Sequence, residues 1–79
     1  MKQEITDKVK AVASQVLQDE RILNGDNFNF EDAENLDSVN RVAIITELED
    51  FFDVIFKIKE ISSWNTVNEL AEIIEKHLS

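Results

Sequence analysis

Apolar residues recur at the α-helical spacing in three separate stretches of this chain, and that periodicity narrows most what it can fold into. Ile5, Val9, Val12 and Val16 form the first stripe and predict a helix from about residue 3 to 17. Val42, Ile44, Ile45, Leu48, Phe51 and Phe52 fall within one half of a helical wheel, which predicts a second helix over Ser38 to Phe52. Val67, Leu70, Ala71, Ile74 and Leu78 make a third face from about 67 to 78, introduced by Thr66-Val67-Asn68-Glu69 with the spacing of a capping box. Val54 to Trp64 is mixed in character, with room for one short helix. No internal repeat, low-complexity tract or hairpin-linked strand pair competes with this pattern. The expected fold is all-α: a small four-helix bundle of three longer helices and one short one around a shared core.

From Gln18 to Leu36 the periodicity vanishes. Asn24-Gly25 marks a turn there, and Ile22, Leu23, Phe28, Phe30 and Leu36 are apolar at irregular intervals. A loop of this length is uncommon unless its own side chains pin it or it serves a function, and these five residues are the means of pinning it.

At 79 residues, with 43% apolar residues and neither Cys nor Pro, the expectation is one domain over 1–79 that holds by packing alone. A core of this size leaves no room for a large enclosed active site. Absence of Cys removes thiol catalysis, zinc-thiolate sites and redox motifs. No apolar run reaches membrane-spanning length, and Met1-Lys2-Gln3-Glu4 does not open a signal peptide, so a cytoplasmic location is expected.

Eight Lys and Arg against 17 Asp and Glu give a net charge of −9. The ends are nearly balanced, while eleven acids face only Arg21 and Arg41 between Asp19 and Asp53. Such a field repels phosphate backbones and anionic lipid, which argues against nucleic acid and membrane as partners and for basic protein surfaces. The face of the second helix opposite its apolar stripe bears Val39, Ala43, Glu47 and Asp50, with Thr46 and Asp53 beside it. Small apolar contacts running into carboxylates suit a basic groove with an apolar floor, although an exposed acidic helix face is also ordinary.

Asp37 and Ser38 are both helix-capping residue types, and capping alone accounts for a Ser at a helix start. A nucleophilic triad fails: His77, the sole histidine, stands at the frayed end of the chain, and no Gly-rich elbow surrounds Ser38. Asp26-Asn27-Phe28-Asn29-Phe30-Glu31-Asp32 has a superficial likeness to a calcium loop but places Phe at donor positions and lacks the central Gly, so no metal site is expected.

Leu36-Asp37-Ser38-Val39 at the head of an acidic helix, after a long loop and before Glu47-Leu48-Glu49-Asp50-Phe51-Phe52-Asp53, resembles the acyl carrier proteins over nearly the whole chain. Phe30, eight residues before the serine, and Thr66-Val67 before the last helix add to the likeness. The resemblance implies a four-helix bundle of acyl-carrier type, a free-standing non-catalytic carrier and a monomer. It implies that a phosphopantetheinyl transferase attaches 4′-phosphopantetheine from coenzyme A to Ser38, beside Asp37, with Mg²⁺ as the transferase's ion. Acyl groups would travel as thioesters on that arm in fatty acid, polyketide or specialised lipid biosynthesis. Val39, Ala43, Glu47, Glu49 and Asp50 would meet the transferase and the acyl-transferring and chain-modifying synthase enzymes. Val39 stands where the family usually has Leu, Asn35 where Gly is common, and Asn40, Arg41, Lys57 and Lys59 also depart from its pattern. A specialised carrier fits these departures about as well as a housekeeping one. An aminoacyl or peptidyl carrier stays open, and so does, from a different class, an acidic helical adaptor that bears no cofactor. By the same likeness, Trp64 is expected to face the interior near Phe52 and Phe56.

Overall fold

The computed structural model describes residues 2–25 and 27–79, excepting the side chain of Lys2; Met1, at the N-terminus, and Asp26, in the calcium-loop comparison, lie outside the described residues. The helices are α1 (Lys2–Leu17), α2 (Arg21–Asn24), α3 (Ser38–Phe52), α4 (Ile58–Ile61) and α5 (Val67–Leu78), with a 3₁₀ turn over Phe30–Asp32 between α2 and α3. Among the described residues no strand forms, and β pairing is limited to one antiparallel bridge between Asn29 and Thr66. The three long helices and the short α4 lie where the periodicity places them.

α1 packs against α2, α3 and α5. Its stripe works as expected: Ile5, Val9 and Val12 are buried, Val16 packs at the margin, and Ala13 and Leu17 widen the contact. α3 contributes Ile44, Ile45 and Leu48, and α5 contributes Val67, Leu70, Ala71 and Ile74. The half-wheel of α3 is wider than its neighbours can cover. Val42 is half exposed and Phe51 is 61% exposed, its ring lying 4.1 Å from the Lys8 ammonium, so a cation–π contact replaces core burial. Leu78, in the last turn of α5, likewise stays largely outside the core.

The aperiodic stretch is more ordered than a plain loop. Asp19 forks onto Arg21, whose Nη2 also donates to the carbonyl of Asp32 at 3.0 Å, and the single helical turn of α2 buries Ile22. Phe30 is fully buried, while Phe28, Ala33 and Leu36 pack at the edge; Leu23 alone of the five expected anchors faces solvent. The turn is then stitched to the start of α5. Phe30 N–H donates to Asn65 C=O at 2.7 Å, Val67 N–H to Phe28 C=O at 3.0 Å, and Asn68 N–H to Asn27 Oδ1 at 2.9 Å. A periodicity argument misses this because the apolar positions match no helix or strand repeat, and the partners are about forty residues away along the chain.

Trp64 is fully buried, as expected, in the same apolar cluster as Phe56, with Phe52 packed at its margin. Its indole meets Phe30 edge-on at 4.9 Å and carries the Arg41 guanidinium 4.2 Å above it, whereas Phe52 pairs with Phe51 and Phe56 with His77. The expected box beginning α5 is present: Thr66 Oγ1 accepts from Glu69 N–H and Glu69 Oε1 accepts from Thr66 N–H. Two turning points sit in the left-handed region without glycine, Gln18 at φ 54° and Asp53 at φ 57°, each costing roughly 1–2 kcal/mol. Because Phe30 fills the space between the loop and Trp64, Phe30→Ala is expected to lower stability by about 3–5 kcal/mol in urea unfolding.

Candidate functional site

The start of α3 separates two roles that the sequence leaves together. Asp37 is the cap: its backbone is extended, its Oδ1 accepts from Asn40 N–H at 2.8 Å, and its carbonyl accepts from Arg41 N–H at 2.9 Å. Ser38 is therefore the first residue inside the helix and is released from capping. Its side chain is exposed, and among the described residues none hydrogen-bonds its hydroxyl.

Three residues without an assigned role in the sequence hold this helix start in place. Asn35 Nδ2 donates to Leu17 C=O at 2.8 Å, satisfying one of the carbonyls left open where α1 ends. Asn40 Nδ2 donates to Asn35 C=O at 2.7 Å, and Arg41 Nη1 donates to Trp64 C=O at 2.9 Å. The end of α1, the loop and the head of α3 are thereby one hydrogen-bonded unit. Asn35, Asn40 and Arg41 show up in the sequence as departures from the carrier pattern, but nothing there pairs them with Leu17 or Trp64. A recess of about 410 Å³ opens beside this unit, between Val16, Leu36, Asp37 and Asn40.

Down α3 from Ser38, Val39 is 73% exposed, Ala43 half-buried, and Thr46, Glu47 and Asp50 exposed. Asp53 lies beyond the helix as its left-handed C-cap. Glu49 is the exception among the expected contact residues. It is half-buried, and its Oε2 accepts the N–H of Phe56 at 2.8 Å, so it ties down the chain leaving α3.

The family model described as a phosphopantetheine attachment site matches residues 7–74. The chain belongs to this family. No curated protein matches it significantly. The prosthetic group of the family is 4′-phosphopantetheine, which makes this protein a phosphopantetheine-bearing carrier, and the match spans the loop, the hydrogen-bonded unit and all of α3.

At the far end of α3 the carrier is braced by a histidine. His77 is not frayed as expected: its ring stacks on buried Phe56, centroids 5.5 Å apart, and its Nε2 lies 2.8 Å from Glu60 Oε1. The same Glu60 oxygen accepts Lys57 N–H at 2.8 Å, so the ring joins α5 to α4. Among the described residues no group of three or more His, Asp or Glu is gathered to hold a metal ion, and no helix is long and apolar enough to cross a membrane.

The Lys57 N–H first, and the His77 imidazole second, hold the Glu60 carboxyl below its ordinary range. A carboxyl lowered in the folded state adds stability above its unfolded pKa, about 4.3, and loses that stability as pH falls through the folded value. The melting-temperature deficit of Glu60→Gln is therefore expected to shrink as pH is lowered from about 5 towards about 3.

Proposed function

We propose that Ser38 is the residue through which this carrier takes its 4′-phosphopantetheine, donated from coenzyme A by a separate phosphopantetheinyl transferase. The arm then holds acyl groups as thioesters on its terminal thiol in fatty acid, polyketide or specialised lipid synthesis. The observation that carries this assignment is the Ser38 hydroxyl, exposed and unengaged at the first position of a helix whose capping is done by its neighbour.

Several features support the reading. A phosphodiester on Ser38 would sit at the positive end of α3, beside N–H groups that have no helical carbonyl to bond. Ser38 needs no base of its own, because proton removal falls to the transferase, and the chain acts as substrate and carrier rather than enzyme. The recess beside Asp37 and Asn40 offers polar walls to the stem of the arm. An adaptor without a cofactor would leave both the family match and the freed hydroxyl without purpose.

Val39, Ala43, Glu47 and Asp50 are the surface offered to the transferase and to the acyl-transferring and chain-modifying enzymes. Glu49 adds charge there while its contact with Phe56 keeps it in place. Exposed carboxylates around a small apolar patch steer basic partners quickly and release them quickly, as a carrier visiting several enzymes requires.

Incubation with coenzyme A, Mg²⁺ and a broad-specificity phosphopantetheinyl transferase is expected to raise the intact mass by one arm, and Ser38→Ala to abolish the gain. Retention of the gain in Ser38→Ala would overturn the assignment. Glu47→Lys with Asp50→Lys is expected to slow modification roughly tenfold at low ionic strength, with the gap narrowing as salt is added and circular dichroism unchanged.

A further inference from the structure

Between Arg21 and Lys57 the chain holds nine acids and a single Lys or Arg, which is Arg41. Arg21 forks onto Asp19, but Arg41 forms no ion pair with any carboxylate among the described residues. Its guanidinium is held by neutral groups instead. Nη1 donates to Trp64 C=O at 2.9 Å, and the guanidinium carbon lies 4.2 Å from the centre of the indole. These contacts fix the half-buried side chain in place while engaging one of its five N–H donors and leaving its charge without a counter-ion.

Arg41 stands three residues after Ser38 in α3, so the two side chains are neighbours on one side of the helix, with about 5–6 Å between Cβ atoms. Asp37 is the carboxylate nearest to both along the chain. Its Oδ1 is taken by Asn40 N–H, and it does not neutralise Arg41. A phosphodiester on Ser38 would add a further negative charge next to Asp37, with Glu34 before it and Glu47 beyond, and Arg41 is the one cation within α3 to offset it.

Taking Ser38 as the attachment residue, on which this inference rests, we propose that Arg41 binds the phosphodiester of the arm with the donors that Trp64 leaves free. An arginine suits that task better than a lysine, because its planar fork can keep the Trp64 carbonyl and meet a phosphate oxygen at once. The arm is thereby directed from Ser38 along the side of α3 that faces Trp64. Val39 and Ala43 each stand two residues from Arg41 and do not share its side of the helix, so the docking face stays uncovered.

The test follows hydrogen exchange at the Arg41 Nε–H by NMR before and after loading with coenzyme A, Mg²⁺ and a phosphopantetheinyl transferase, with intact mass as the check on loading. Exchange is expected to slow roughly tenfold on loading, while Arg21, already forked onto Asp19, stays unchanged as the internal reference. The phosphorus resonance of the attached arm is expected to lie away from its position in the urea-unfolded chain, and to move back towards it in Arg41→Gln and less so in Arg41→Lys, with circular dichroism unchanged. Unaltered exchange at Arg41 in the loaded chain, or a phosphorus resonance indifferent to a folded Arg41→Gln, would overturn the inference while leaving attachment at Ser38 standing. Should Arg41→Gln fail to fold, the exchange comparison in the unsubstituted chain decides alone. A mass gain that survives Ser38→Ala would overturn the attachment and this inference with it. Equal slowing in Ser38→Ala mixed with free coenzyme A would overturn it in favour of a general anion site.

Discussion

The near-perpendicular ring contact between Phe30 and Trp64 is the one on which the rest of the carrier depends. It joins the aperiodic segment after α1 to the segment leading into α5, two stretches that no helix period would bring together. Around it the backbone closes, with Phe30 bonded to Asn65 and Val67 to Phe28. Arg41 completes the arrangement from α3 by covering the indole and bonding its carbonyl. This junction acts together with the Arg21–Asp32 and Asn35–Leu17 bonds to hold the loop against the end of α1. The indole Nε1–H remains buried without an acceptor, a cost of about 1–3 kcal/mol that the burial of two large rings offsets.

What this junction positions is a helix start with divided labour. Asp37 supplies the acceptor that the first turn of α3 lacks, and Ser38 is left as a hydroxyl on a rigid element, facing water. That division suits chemistry performed by another protein. His77 is bound to Glu60, and the recess near the head of α3 is lined by Val16, Leu36, Asp37 and Asn40. The same economy appears at the other end of α3, where Glu49, Glu60 and His77 hold a connection that buries Phe56 and leaves Ile55 and Ile58 exposed.

Electrostatics divides the surface by position rather than by total charge. The carboxylates of α3 lie beside Ser38's helix face, while Lys57 and Lys59 interrupt the acidic field where the chain leaves that helix.

Amino-acid order by itself determined the long helices, because a stripe such as Ile5, Val9 and Val12 is local information, and the Thr66–Glu69 box is written within four residues. It also placed Ser38 at a helix start and, through the resemblance around Asp37-Ser38-Val39, the family. Tertiary structure alone decided which apolar residues the core accepts. Phe51 and Ile55 are as hydrophobic as Phe30 and Ile22, yet they face solvent because the inward places are taken or the neighbouring helix is too narrow to cover them. It alone chose Asp37 over Ser38 as the cap, bonded Glu49 to the Phe56 amide, and gave Asn35, Asn40 and Arg41 their partners. Each of these is a choice among acceptors brought close only when distant segments pack. Helical periodicity is fixed by steric rules within one turn, whereas hydrogen-bond partners and burial are fixed by which surfaces meet.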